Sequence, residues 1–243
     1  MALGGIQIVN GTTGQHRRSH PLVRYFQKVY GIAALLALAA CSSDQFELGK
    51  DAAKLADIQS SASIEARWST RTGDSGNLVL VPAVTQNAIY TANAKGQVFR
   101  IDPSTGDRLW RKECDFPISA GTGAGEGLIL IGGGEGELAA FTEDGTLQWQ
   151  TRVTSEVLSA PQIADGIVVV RSADGRISGH DARDGSRLWL YERAIPALIV
   201  RSHTGVTIDS GAVYAGFAGG KLVSLDLKTG VLNWETAVSQ PRG

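Results

Sequence analysis

The residues best able to do chemistry are few in this sequence, and their spacing argues against most kinds of it. The two cysteines, Cys41 and Cys114, cannot make a zinc site, and the four histidines, His16, His20, His180 and His203, stand apart from them and from one another. Two glycine-rich runs, Ala120-Gly121-Thr122-Gly123-Ala124-Gly125 and Gly132-Gly133-Gly134-Glu135-Gly136, have the composition of a phosphate cradle. Neither ends in Gly-Lys-Ser/Thr or leads into a helical pattern, so both read as strand and hairpin glycines. No Ser-x-Gly elbow precedes a helix, His180 reads as a structural residue at a strand end before Asp181, and the acids sit singly in turns. The expectation is therefore no catalytic residue, no metal and no cofactor.

Cys41 is the exception. Residues 24–41 run Arg-Tyr-Phe-Gln-Lys-Val-Tyr-Gly-Ile-Ala-Ala-Leu-Leu-Ala-Leu-Ala-Ala-Cys, a basic flank, an apolar stretch and then a thiol. The stretch is too short for a bilayer core, which takes about 20 residues, but it suits the apolar region of a signal peptide. Leu38-Ala39-Ala40-Cys41 resembles a bacterial lipobox, in which the thiol is acylated and cleavage leaves Cys41 as the new N-terminus. A lipid on Cys41 leaves Cys114 without a disulfide partner. Ser42, rather than Asp, after the Cys favours sorting to the outer membrane. Residues 1–40 are thus expected to be leader and signal peptide, with 22–40 the signal proper and translation starting near Leu22 or Val23. Residues 41–66 form a lipidated N-terminus and tether, and 67–243 the folded part. Removing the leader takes away Arg17, Arg18, Arg24 and Lys28 and leaves 19 basic against 24 acidic side chains. Such a chain has no general attraction for nucleic acid.

The elements that would carry any site come from a repeat. Trp110, Trp149, Trp189 and Trp234 follow one another at 39, 40 and 45 residues, with Trp68 lying 42 before the first. Gly106, Gly145, Gly185 and Gly230 each stand four residues before their Trp, and Gly96, Gly136, Gly175 and Gly220 stand 13 or 14 before it. Asp102, Asp181 and Asp226 share one position that Thr142 takes in the second unit. A fixed period of this length marks a repeat architecture.

Each unit reads as four short antiparallel strands. In the third, 159–165 is an inner strand, 166–171 is a nearly all-apolar strand buried on both faces, and Ser172–Gly175 is a hairpin turn. Residues 176–181 then alternate, and a turn over 182–185 leads into the Trp-bearing outer strand. With 43% apolar and 19% charged residues, 30 Gly and one Met, the composition fits many short strands joined by tight turns. A sheet with two apolar faces must stack on copies of itself, and radial stacking of four-stranded sheets is a β-propeller. The indoles are expected to pack between neighbouring blades.

The Asp-x-x-Thr-Gly-x-x-x-Trp pattern is complete at 102–110 and 226–234, and the third unit has Asp184 in place of Thr. It resembles the quinoprotein-type propeller repeat; WD40 repeats have a similar period but close in Trp-Asp, which does not occur here. Together with the lipobox, the short tether and the run 213–223, it makes the chain from about residue 24 onward resemble the BamB family of outer-membrane β-barrel assembly lipoproteins. That family is eight-bladed, so four Trp-closed units correspond to half a ring, as in a fragment or truncated gene model, with self-association of two halves as the alternative. The resemblance implies a non-enzymatic scaffold of the BAM complex, lipid-anchored at the periplasmic face of the outer membrane. Its implied partners are the POTRA domains of BamA, other BAM components and nascent outer-membrane proteins. The family's Pro-x-Leu-x-Leu-Arg loop contacts BamA; carried onto 196–201, it makes Leu198, Val200 and Arg201 the candidate contacts, while the residues by themselves also fit the core of a long inter-blade strand. Two other readings are an envelope lipoprotein propeller that binds glycan or another partner, and a degenerate quinoprotein dehydrogenase. The dehydrogenases hold their quinone against an adjacent Cys-Cys disulfide, a pair this sequence lacks.

Overall fold

The computed structural model describes residues 63–193 and 203–239, which contain sixteen strands and no helix. They form four separate four-stranded antiparallel sheets, each a simple meander in chain order. The first sheet is β1 (Ala83–Val84), β2 (Ile89–Ala92), β3 (Gln97–Ile101) and β4 (Arg108–Glu113). The second is β5 (Gly123–Gly125), β6 (Leu128–Gly132), β7 (Glu137–Thr142) and β8 (Leu147–Arg152). The third is β9 (Gln162–Ala164), β10 (Ile167–Arg171), β11 (Ile177–Asp181) and β12 (Arg187–Tyr191). The fourth is β13 (Val206–Asp209), β14 (Ala212–Phe217), β15 (Lys221–Asp226) and β16 (Leu232–Ala237). The strand expected over 159–165 is shorter than the sequence pattern, because Pro161 cannot donate to a ladder and pairing starts at Gln162.

These are four blades of a β-propeller, and the burial pattern shows why the second strand of a blade is apolar throughout. Ile129 and Ile131 of β6 pack with Tyr90, Val98 and Phe116 toward the first sheet. Leu128 and Leu130 of the same strand face the opposite way and pack with Val168 and Val170 of β10. Ile167 and Val169 in turn face Val213 and Val223 of the fourth sheet. Alternate residues thus serve alternate inter-sheet layers. Each fully buried Val, Leu or Ile contributes about 1.5–3 kcal/mol, and a sheet standing alone would forfeit this on both faces.

The repeat residues tie each sheet to the next. Trp68 donates its indole N–H to Pro103 O at 3.0 Å, Trp110 to Glu143 O at 2.9 Å, Trp149 to Ala182 O at 2.8 Å and Trp189 to Leu227 O at 2.9 Å. Each acceptor lies in the last turn of the following sheet, beside the repeat glycine of that turn. A Cβ on Gly106, Gly185 or Gly230 would stand 2.5 Å from the ring of Trp68, Trp149 or Trp189, and one on Gly145 would stand 3.2 Å from that of Trp110. The glycine four residues before a Trp therefore makes room for the Trp of the preceding sheet. Trp149 and Trp189 are buried as expected between sheets. Trp234, on the last described strand, departs from that expectation: it is 43% exposed and packs beside Tyr214 of its own sheet, with centroids 6.0 Å apart.

Two local devices aim these groups. The turn carboxylates accept backbone N–H bonds, Asp102 from Ser104 and Thr105, Asp226 from Lys228 and Thr229, while Thr142 does the same from its hydroxyl with Thr146. Each outer strand also carries a β-bulge one residue before its Trp, at Leu109, Gln148, Leu188 and Asn233. The extra residue resets which face the indole occupies.

Gly185 has φ +74° and the Trp149 ring against it, whereas Gly127 has φ +78° and open space. Gly127→Ala is expected to cost about 1 kcal/mol for its left-handed backbone, and Gly185→Ala about 1–3 kcal/mol more because a bonded, buried indole must move. Urea unfolding midpoints measure both; equal shifts would remove the role of Gly185 as the platform for Trp149.

Candidate partner-binding site

The candidate contacts Leu198, Val200 and Arg201, and the lipidation candidate Cys41, lie outside the described residues. Both ends of the segment that carries the first three are described. It belongs to the 192–205 connection between the third and fourth sheets, the longest of its kind, since the corresponding connections span 114–122 and 153–161. Arg193 at one end lies over the Phe217 ring, its guanidinium carbon 5.4 Å from the centroid, and forms a two-pronged ion pair with Glu235. Lys221 Nζ adds a second cation 3.2 Å from the same carboxylate. The hydrogen bonds from Arg193 and Lys221 hold the Glu235 carboxyl down at about 2, and the pair raises Arg193 in return. Tyr191 tilts against Phe217 at 6.3 Å. At the other end, His203 Nδ1 donates to Leu158 O at 3.2 Å. Phe217 and Glu235 went unnoticed in the sequence, although Phe217 stands where Asn93, Gly133 and Ser172 stand in the other hairpins.

The remaining chemistry-bearing residues are turned inward. Burial, with Asp115 beside it, pushes the Cys114 thiol up to about 12, which leaves little thiolate at neutral pH. The glycine-rich runs are close-packing surfaces between sheets: a Cβ on Gly123 would stand 2.1 Å from Pro161 O, and one on Gly132 would stand 2.5 Å from the Val157 side chain. Among the described residues no group of three or more His, Cys, Asp or Glu is placed to hold a metal ion.

Comparison with known proteins decides the family. The family described as "Outer membrane protein assembly factor BamB" matches residues 94–243. The chain belongs to the BamB family. The Nitrosomonas eutropha BamB is 45% identical over 202 residues, covering 83% of this chain and 49% of that protein. The Burkholderia pseudomallei BamB is 36% identical over 228 residues, covering 91% and 58%. The chain thus spans about half the length of the curated BamB relatives it matches. The crystal structure of BamB from Moraxella catarrhalis aligns with a TM-score of 0.62 at 25% identity, over 68% of this chain and 50% of that one. Quinohemoprotein alcohol dehydrogenase from Comamonas testosteroni aligns with a TM-score of 0.56 at 17% identity, over 67% and 35%, which is a likeness of fold alone.

His180 places an ionisable ring at a buried repeat position that is apolar in the other three sheets. It pairs with Arg187 across β11 and β12, where the other sheets have Ile101, Phe141 and Leu225. Its ring nitrogens meet Gly185 O at 3.0 Å and Ser178 Oγ at 2.9 Å. Burial lowers its pKa; the Gly185 carbonyl opposes this more weakly, and the charge of Arg187 adds to the lowering. As pH falls below about 6.5 the unfolded chain takes up a proton that the folded chain refuses, so stability held above that pH is lost on acidification. His180→Leu is expected to flatten the fall in urea midpoint between about pH 7 and pH 5, above the ordinary carboxylate range. An unchanged slope would assign the acid sensitivity elsewhere.

Proposed function

We propose that this protein is a non-enzymatic, lipid-anchored scaffold of the outer-membrane β-barrel assembly complex, held by Cys41 at the periplasmic face of the outer membrane. In this reading residues 1–40 are leader and signal peptide, and residues 41–66 carry the lipid and tether the propeller. The 192–205 connection docks on the POTRA domains of BamA through Leu198, Val200 and Arg201, and nascent outer-membrane proteins are the clients. The observation that carries the reading is the BamB match over residues 94–243, which includes this connection. An aliphatic pair beside an Arg suits the centre of an interface, where apolar anchors and guanidinium groups dominate. The long connection supports it as well, because the two other connections between sheets are held to one shorter length. Against an enzyme reading stand the sequestered thiol, the sealed histidine and turn carboxylates already bonded to their own backbone.

Leu198→Ala combined with Arg201→Ala, in the full-length protein, is expected to leave the thermal midpoint unchanged and to reduce co-purification of BamA from solubilised envelopes by at least about tenfold. Undiminished recovery would remove the connection from the interface. Cys41→Ser is expected to move the protein from the membrane fraction to the soluble periplasmic fraction, with BamA binding in detergent retained; continued membrane retention would refute the anchor.

A further inference from the structure

The third and fourth sheets meet at two residues that both break the repeat. Counting back from the hairpin glycines, Arg171 occupies the position of Ala92, Gly132 and Gly216, and Phe217 the position of Asn93, Gly133 and Ser172. The two exceptions touch: the Arg171 guanidinium carbon lies 4.7 Å from the Phe217 centroid, on a ring that is itself buried. Arg171 Nη1 donates to Gly216 O at 2.7 Å, and to Thr204 O and Oγ1 at 3.3 and 3.2 Å. In the second sheet the equivalent carbonyl, Gly132 O, accepts backbone N–H groups of the incoming connection, from Ser119 at 3.1 Å and Ala120 at 3.4 Å. A guanidinium from the neighbouring sheet therefore reaches a carbonyl whose counterpart in the second sheet receives the connection's own backbone, and the same nitrogen grips the connection at Thr204.

We infer that Arg171 is a positioning residue: stacked on Phe217, it fixes the point at which the 192–205 connection re-enters the fourth sheet, and thereby the presentation of the partner-binding segment. Arg193, on the same ring and paired with Glu235, secures the other end. A planar guanidinium suits this place because it stacks and donates in its own plane at once, which an ammonium does not. The partner half of the inference rests on the proposed docking to BamA; the anchoring half does not.

The test uses the full-length protein and two readouts. Arg171→Ala is expected to speed amide exchange at Gly205 and Val206 about tenfold while Leu130 and Val169 keep wild-type rates, since charge-assisted bonds to the connection are lost. BamA capture is expected to fall about tenfold as well, and Leu198→Ala is expected to add little in the Arg171→Ala background, because both changes act through one segment. A residue that merely stabilised the fold would give additive losses, and that result, or unchanged exchange at Gly205 and Val206, overturns the inference. Phe217→Leu removes the stacking face and keeps the bonds; it is expected to give the same pattern at smaller amplitude, and it serves if Arg171→Ala does not fold. If the wild-type protein captures no BamA, the proposed function fails, and the exchange pattern alone decides the role of Arg171.

Discussion

The indole that leaves each outer strand and enters the last turn of the next sheet is the contact on which the other features depend. Burial of Ile129, Val168 or Val213 between sheets is strong but non-directional, so it holds two sheets together without choosing how they align. The indole N–H bond to a single carbonyl, with the ring lying on a glycine, supplies the missing direction. Because the acceptor turn is itself the lead-in to the next Trp strand, each docking event places the donor for the following one. The same geometry recurs from Trp68 to Leu227 without a change of partner type.

That linkage explains several otherwise separate features of the repeat. The bulge before each Trp is required because strand residues alternate sides, and without an extra residue the indole would leave the sheet on the other face. The Asp or Thr that opens each turn bonds the turn's own N–H groups and so fixes the carbonyl the preceding indole needs. Trp234 has every element of the pattern in its own unit and is still 43% exposed. Burial of a repeat Trp is therefore a property of the following turn, and no residue within its own unit confers it.

The same fact sets what could be read in advance. Strand number, hairpin positions and the two-faced burial of 166–171 follow from local pattern, since alternation and turn glycines act over a few residues. The partner of Gly185 is Trp149, 36 residues earlier, although Trp189 is only four residues away. A glycine that serves as a platform looks in sequence like one that serves only as a turn. The bulges were hidden for a related reason, because the register that exposes them depends on a second strand. His180 was legible as structural but not as isolated among apolar equivalents, which needs the cross-strand partner to be known. Of the proposed partner-binding site, the sequence offered the long connection and the Arg and aliphatic residues in it. The clamp of Arg171, Phe217 and Glu235 comes from three different strands, and only tertiary structure unites it.

A repeat protein has little freedom to place function in its regular parts, because every regular residue is committed to a neighbour. Changing Gly185 or Trp149 disturbs the next sheet, so variation accumulates where one unit can change without altering the linkage. Here the lengthened 192–205 connection, the charged Arg171 and the aromatic Phe217 fall together at one junction. The indole link from Trp189 to Leu227 at that same junction is unchanged, at 2.9 Å. The two sheets are thus held in the standard relation by the repeat while the surface between them is rebuilt by side chains. That division suits the proposed scaffold role, since a docking segment gains affinity when its ends are fixed before the partner arrives and less ordering remains to be done on binding.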